Sequence, residues 1–224
     1  MCGRYALIDL KALIQDNRFQ LEAFPPHLTP RYNIAPSQPV PAILNQAPRE
    51  LQLVRWGLIP SWAKDPTIGY RMINARAETL EAKPAFRRPL QRQRCLIPAA
   101  GFYEWQRLGT SKVPHWITLA SGEMFAFAGL WDSWTDPKTN TAVTSCTIIT
   151  TSPNQLLVSI HDRMPVILPR ESEVVWLSNS LSPEQACGLL KPYPATQMKA
   201  SPISRLINSP INDTPEVLKS EIRD

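Results

Sequence analysis

The fold of this chain is decided by residues 95–151, which read CLIPAAGFYEWQRLGTSKVPHWITLASGEMFAFAGLWDSWTDPKTNTAVTSCTIITT. Five segments of this stretch are rich in apolar, aromatic and β-branched residues: CLIPA, GFYEW, HWITL, MFAFAGLW and AVTSCTIITT. Short runs of such residues, bounded by turn-forming Gly, Pro, Ser and Asn, are typical of β-strands. Residues 95–151 are therefore predicted to form a series of strands.

The sequence before this stretch adds further strands and short helices. Strands are predicted over three segments: 2–8, 40–45 and 51–56. A helix is predicted over 9–19, with Asp9 as its N-cap, and a second one within 86–93. Two segments rich in turn signals are expected to be ordered loops: 24–39 and 57–80.

The sequence after this stretch is predicted to be mixed. Ser152-Pro153 is expected to open a helix through 156–160, with serine as the cap and proline at the first helical position. A strand is predicted over 164–168, and helices over 171–178 and 183–190. Residues from about 205 are expected to form an irregular tail. Together the elements predict an α+β fold in one domain, 1–224, with a curved, barrel-like mixed β-sheet core and short peripheral helices.

Composition sets outer limits on the function. The chain carries 23 prolines against 8 glycines and a net charge of +5, which fits either an anionic partner or solubility alone. Its four cysteines form no C-x-x-C pair, which argues against a zinc ribbon or a redox motif. No apolar run approaches the ~20 residues of a membrane span. We expect a cytoplasmic monomer, nucleoid-associated if bacterial, with free thiols and no membrane partner.

Cys2 is the first residue that could carry chemistry. A small residue after the initiator methionine permits removal of Met1, which would place an amine and a thiol on adjacent carbons. An α-amine has a pKa of about 8, so part of it is a free nucleophile at neutral pH. Such an aminothiol captures aldehydes as a Schiff base that the sulfur closes to a thiazolidine. On its own, a cysteine at position 2 is more often an incidental small residue.

Three further segments contain polar residues in suggestive settings. Asn74, Arg76 and Glu78 alternate in NARAET and would project from one side of an extended segment. Glu104 lies between two aromatic residues in GFYEW, either at the wet face of a strand or partly buried with a raised pKa. His161 precedes Asp162-Arg163 in IHDRMPVIL. Each residue also fits a structural role.

Basic and aromatic residues recur beside these candidates. Arg4, Arg76 and Arg163 each lie two residues from one of them. Further arginines cluster in FRRPLQRQR, and tryptophans recur nearby, at Trp56, Trp62 and Trp105. Arginine for phosphates with aromatic rings for base stacking is the pattern of single-strand binding.

Taken together, these segments resemble the SOS-response-associated peptidase family, whose SRAP domain processes abasic sites. The resemblance is carried by seven blocks in order: MCGRY, RYNIAPSQ, RWGLIPSW, INARAET, KPAFR, RCLIPAAGFYEW and IHDRMPVIL. SRLINSPIND, at 204–213, is a further block of weaker similarity. Seven ordered blocks are far more specific than any one of them.

The resemblance implies a role for each candidate residue. Cys2 matches the residue that bonds covalently to the ring-opened sugar of an abasic site in single-stranded DNA. Asn74, Glu104 and His161 match the other catalytic positions. Further residues are expected to contact DNA or to line its cleft: Arg4, Asn33, Trp62, Arg76, Thr150, Thr151 and Arg163. No metal or other cofactor is implied.

The function implied is that of an abasic-site sensor that forms a thiazolidine crosslink and so protects the site during the DNA damage response. Weak lyase activity is expected, because a Schiff base beside the 3′ phosphate can undergo β-elimination. Three alternatives remain open: a thiol peptidase with Cys2 as nucleophile, whose only event could be removal of Met1; a non-enzymatic single-strand DNA-binding module; and a metal site at Cys2, Glu104 and His161.

Overall fold

The computed structural model of the protein describes residues 2–16 and 19–220. In these residues the strands are β1 Tyr5–Leu7, β2 Arg31–Ile34, β3 Pro39–Leu44, β4 Leu51–Trp56, β5 Asn74–Arg76, β6 Arg94–Ala99, β7 Gly101–Leu108, β8 Ser111–Leu119, β9 Phe125–Thr135, β10 Ala142–Thr151, β11 Met164–Pro165 and β12 Met198–Pro202. The α-helices are α1 Leu10–Ile14, α2 Pro84–Arg92, α3 Arg170–Leu177 and α4 Pro183–Gly188.

Five of the strands close into a mixed barrel. Hydrogen bonds connect β10, β4, β3, β6 and β9 in that order, and β9 pairs back onto β10. The β10–β4 pairing is parallel, while the other pairings around the barrel are antiparallel. Two short strands extend β10 outside the ring, β5 in parallel and β11 antiparallel. The predicted α+β fold with a barrel-like core is confirmed.

A second, antiparallel sheet lies against the barrel. Its strands follow the order β12, β8, β7, β1 and β2, so that β1 is paired along both edges. Tyr5 of β1 makes edge-to-face contacts with Trp56 and Phe127 of the barrel, with ring centroids 5.4 and 5.7 Å apart. These buried aromatic contacts bring the amino-terminal strand into the main hydrophobic core.

Most of the predicted elements are present. The five strands of 95–151 correspond to β6 to β10, and the Asp9 side chain caps α1 by accepting a hydrogen bond from the Ala12 amide at 2.8 Å. Residues 17 and 18 of the helix predicted over 9–19 lie outside the described residues. Ser182 caps α4 in a reciprocal capping box with Gln185.

The helix predicted to start at Ser152-Pro153 is wrong. Residues 155–160 form turns, and Asn154 instead of Ser152 receives the backbone amide of Leu157, at 3.0 Å on its side-chain oxygen. Ile160 and His161 both donate to the Leu157 carbonyl, at 2.8 and 2.9 Å, so the hydrogen-bond ladder is not continued. A side chain that bonds the local backbone in this way competes with a regular helix.

Further differences concern short strands and the carboxyl-terminal tail. The loops predicted over 24–39 and 57–80 contain β2 and β5, and β12 was not predicted. The predicted strand 164–168 is reduced to Met164–Pro165 with an isolated bridge from Ile167 to Phe127. The tail from 205 contains two short 3-10 helices, Arg205–Asn208 and Pro215–Leu218, and residues 221–224 lie outside the description. These pairings are non-local and leave little periodic signal in the sequence.

None of the helices in the described part of the chain has the length and apolar character that crossing a membrane would need.

Gly57 determines how the loop after β4 returns to the barrel. Its φ is +130°, and a Cβ there would lie 2.6 Å from the carbonyl oxygen of Gly69. Beyond Gly57, the Ser61 amide donates to Asp132 at 2.8 Å and the Trp134 indole donates to the Ala63 carbonyl at 2.7 Å. The loop that carries Trp62 is therefore held against β9.

We expect Gly57→Ala to lower the free energy of unfolding by at least about 2 kcal/mol, because it combines a strained φ with a backbone clash. Urea denaturation measures the change. Gly188→Ala is the matched control, since its Cβ would meet nothing within 4 Å; it should be neutral or slightly stabilising. Equal effects of the two substitutions would contradict the role given to Gly57.

Candidate functional site

The site is built around Cys2, which lies three residues before β1. Cys2 is buried, and the segment between it and β1 is held by the Tyr103 amide, which donates to the Arg4 carbonyl at 3.0 Å. Burial raises the pKa of the Cys2 thiol well above its usual range, and the negative charge of Glu104 acts in the same direction. The thiol is therefore protonated at neutral pH. Met1 lies outside the described residues.

Glu104 and His161 face each other beside Cys2. Glu104, on β7, is 2% exposed, and burial raises its pKa from 4.5 to about 7. Its Oε2 lies 3.9 Å from Nε2 of His161. The partly buried alternative that the sequence left open for Glu104 is the one observed. A carboxyl group with this pKa can hold or release a proton near neutrality.

The His161 ring is oriented through its other nitrogen. Nδ1 accepts a hydrogen bond from the Arg163 amide at 3.0 Å, and Nε2 lies on the side of Glu104. Burial lowers the pKa of His161, so the ring is neutral at neutral pH. Asp162 Oδ1 lies 2.8 Å from the same Nδ1 and pairs with the ring only when it takes a second proton.

Asn74 is positioned by β5. This strand runs parallel to β10, with Asn74 beside Ile148 and Arg76 beside Thr150. The Asn74 amide nitrogen donates to the Ile73 carbonyl at 3.0 Å, whereas its Oδ1 is buried without a hydrogen-bond partner in the described structure. That oxygen is a free acceptor. The predicted alternation holds for Asn74 and Arg76 but ends there, because Glu78 lies in a 3-10 turn.

A groove of about 610 Å³ opens beside Asn74. We call it the Trp62 groove; it is lined by Trp62, Arg71, Met72, Asn74, Arg76, Lys83, Pro84, Ala85 and Phe86. Its lining holds three cationic side chains and no carboxylate, and the Trp62 side chain is 59% exposed. Sequence reasoning missed Arg71 and Lys83, although Lys83 begins the KPAFR block. Positive charge beside an exposed indole suits a nucleic acid strand.

The Arg163 side chain is hydrogen-bonded to other residues of the protein. Its guanidinium forms a bidentate ion pair with Glu78, at 2.8 and 2.9 Å, and donates to the Thr150 carbonyl at 2.7 Å. The Arg163 side chain is 13% exposed. Thr150 and Thr151 are buried in β10 beside β11. These contacts join the segment of Arg76 to that of His161, and the DNA contact expected for Arg163 stays a prediction.

Arg4 and Asn33 hold the carboxyl-terminal segment. Arg4 donates to the Asn33 side-chain oxygen at 2.7 Å and to the carbonyls of Ile207 and Asn208 at 2.8 and 3.2 Å. The buried Asn33 amide donates to the Ser209 and Asn212 carbonyls, both at 2.9 Å. Asn33 and Arg4 thus both bond to the segment of residues 207–212, and the DNA contacts expected for them stay predictions.

The arginines of FRRPLQRQR fall into a buried group and an exposed group. Arg94 is buried, and its guanidinium donates to backbone carbonyls at the ends of α2 and α3: Leu90, Gln91, Trp176 and Ser178. Arg87, Arg88 and Arg92 are exposed. In the described part of the chain, no group of three or more His, Cys, Asp or Glu side chains is arranged to hold a metal ion.

Comparison with known proteins gives consistent matches. The family model "SOS response associated peptidase (SRAP)" matches residues 1–210. The chain is 50% identical to abasic site processing protein YoqW of Bacillus subtilis (strain 168), over 98% of this chain and 100% of that protein. It is 32% identical to abasic site processing protein HMCES of Gallus gallus, over 84% of this chain and 66% of that protein.

A solved structure has the same fold. The crystal structure of a protein from Bacteroides thetaiotaomicron superposes with a TM-score of 0.90 at 30% sequence identity, covering 99% of this chain and 100% of that one.

The pKa of Glu104 has a measurable consequence for stability. Between pH 4.5 and about 7 the folded state keeps a proton on Glu104 that the unfolded state has lost. The free energy of unfolding therefore falls as pH rises through this window. Glu104→Gln cannot ionise, so from pH 5 to pH 8 its stability relative to the parent should rise by on the order of 2–3 kcal/mol.

Urea denaturation across this pH range tests the expectation, with Glu184→Gln, an exposed residue of α4, as the matched control. If the curves of stability against pH for Glu104→Gln and the parent run parallel, the proposed protonation of Glu104 is wrong.

Proposed function

The chain belongs to the SOS response associated peptidase (SRAP) family, and from this membership and the geometry of its amino-terminal cysteine we propose that it processes abasic sites in single-stranded DNA by bonding to them covalently. The proteins it resembles are named for abasic-site processing. The observation that carries the proposal is the placement of Cys2, at the chain end, beside Glu104, which faces His161.

The raised pKa of the Cys2 thiol determines the order of the steps. With Met1 removed, the α-amine is the nucleophile available at neutral pH, because the thiol is protonated. The amine adds to the C1′ aldehyde, and the resulting carbinolamine loses water to give an imine. The sulfur then adds to the imine carbon while its proton passes to the nitrogen, which closes the thiazolidine. A free thiolate, as a thiol peptidase requires, is disfavoured by the same burial.

Glu104 and His161 supply the proton transfers. An abasic sugar is mostly a closed hemiacetal, so opening it requires one group to take the C1′ hydroxyl proton and another to protonate the ring oxygen. The neutral His161 imidazole and the protonated form of Glu104 fit these two tasks, because the raised pKa of Glu104 keeps part of it protonated at neutral pH and the lowered pKa of His161 keeps its ring neutral. The Asn74 Oδ1 can accept a hydrogen bond from a sugar hydroxyl or from the Cys2 amine.

The Trp62 groove supplies the binding. Arg71, Arg76 and Lys83 are positioned to neutralise phosphates, and the exposed Trp62 indole can stack on a base. We assign Arg4, Asn33 and Arg163 to positioning, because their side chains are bonded within the protein. Binding of the DNA in this groove would keep the aldehyde near the amine at a high effective concentration. The imine can also undergo β-elimination, so weak strand cleavage would accompany the crosslink.

Cys2→Ser is the decisive substitution. It keeps the α-amine but replaces sulfur with a much weaker nucleophile, so the imine forms and the stable ring does not. We expect Cys2→Ser to lose the adduct that survives a denaturing gel and to retain a product trapped by borohydride. Intact mass should show both proteins without Met1. Acetylation of the amino terminus is the control, and it should abolish both products.

The outcome that would contradict this mechanism is specific. If borohydride traps no complex with the parent protein or with Cys2→Ser, the imine route is wrong. A thiol peptidase mechanism would give no trapped DNA species with any variant.

Salt dependence tests the Trp62 groove. Arg76→Ala should weaken binding of single-stranded DNA and flatten the slope of log K against log salt by about 0.7, the contribution of one phosphate contact. Fluorescence anisotropy at several salt concentrations measures it. Lys191→Ala, an exposed charge outside the groove, is the matched control. An unchanged slope for Arg76→Ala would remove this residue from the DNA interface.

A further inference from the structure

A second cleft adjoins the catalytic cluster on the side of His161. It has a volume of about 570 Å³ and is lined by Trp105 and Arg107 of β7, by Pro153 and by residues 158–162, which include His161. We call it the Trp105 cleft. It shares no lining residue with the Trp62 groove. Asn74 lines the groove and His161 lines the cleft, so the catalytic residues lie between two separate openings.

Two positively charged side chains beside this cleft form no ion pair within the described residues. Arg107 on β7 lies directly opposite Lys112 on β8. Both side chains are exposed, and within the described residues neither forms an ion pair. Like charges directly opposite each other on paired strands repel, and a bound anion relieves that repulsion. The positive charge of Arg107 also reaches His161, where it lowers the pKa of the ring.

An aromatic surface lies next to this charge. The Trp105 indole nitrogen donates to the Asn208 side-chain oxygen at 2.8 Å, which fixes the orientation of the ring while leaving it partly exposed. The segment 158–162, which also lines the cleft, is bonded to β7 through Gln106, whose side-chain amide donates to the Ser159 carbonyl at 3.1 Å. A fixed indole beside two cations is the combination that binds one nucleotide, with its base on the ring and its phosphate at the charges.

We propose that the Trp105 cleft, with the Arg107–Lys112 pair at its edge, binds the nucleotide flanking the abasic sugar on the side opposite to the flank held in the Trp62 groove. The proposal rests on the proposed function, since only an internal abasic site has two flanks. A strand whose sugar reaches both Asn74 and His161 places one flank in each opening. Asp162, exposed at the cleft, is the one opposing charge in its lining, and it lies against the His161 ring.

The experiment uses single-stranded oligonucleotides that carry a tetrahydrofuran analogue of the abasic sugar, which has no aldehyde and reports binding alone. One probe has nucleotides only on the 5′ side of the analogue, one only on the 3′ side, and one on both. Fluorescence anisotropy measures each with the parent and with the Arg107→Gln/Lys112→Gln double variant.

The double variant should bind one single-flank probe several-fold more weakly and leave the other unchanged. With the two-flank probe its salt slope should be flatter by about 1.4, the contribution of two phosphate contacts. Arg76→Ala should affect the opposite single-flank probe. Equal losses on both single-flank probes, or no loss on either, would overturn the proposal.

Lys191→Gln/Lys199→Gln is the control for net charge. Lys199 pairs with Thr118, six residues along β8 from Lys112, which is about 20 Å. Failure of the proposed function is read separately, from the parent protein and authentic abasic DNA: no adduct would refute the covalent chemistry, whereas the tetrahydrofuran probes would still show whether the cleft binds a flank.

Discussion

The amino-terminal strand is hydrogen-bonded along both edges, and the site depends on this constraint. β1 has only three residues, yet it pairs with β2 on one side and β7 on the other, and its Tyr5 is packed between Trp56 and Phe127. A chain end is usually the least ordered part of a protein. Here the pairing of β1 places the buried Cys2 beside Glu104 of β7, so the proposed aminothiol would have the positional precision of a side chain from the core.

The burial that holds Cys2 also sets the protonation states around it. It raises the pKa of the Cys2 thiol and of Glu104 and lowers that of His161, because each charged form loses hydration. The site therefore favours neutral forms at neutral pH: a thiol, an imidazole and a carboxyl group close to its midpoint. The proposed carbonyl condensation needs a proton donor and a proton acceptor at the same pH, and these shifts would keep both available.

The sequence predicts the local features of this structure and misses those that depend on distant contacts. The strands of 95–151 have continuous apolar runs, and Asp9 and Ser182 carry cap signals that need only neighbouring residues. β2 and β5 are short and gain their hydrogen bonds from strands far along the chain. The catalytic candidates were identifiable from sequence blocks, but the distance from Glu104 to His161 was not.

The arginines show why residue type alone does not assign a role. Arg4, Arg94 and Arg163 donate to carbonyl oxygens or to Glu78, whereas Arg76 and Arg107 are exposed near the ends of their strands. The first group joins segments that are distant in the chain; Arg4 connects the segment that precedes β1 to that of Ile207. Since Asn208 of that segment also accepts a hydrogen bond from Trp105, the segment of residues 207–208 contacts both the residues next to Cys2 and the wall of the second cleft. These contacts join parts of the chain that are distant in sequence, and only the exposed arginines can meet a phosphate without giving them up.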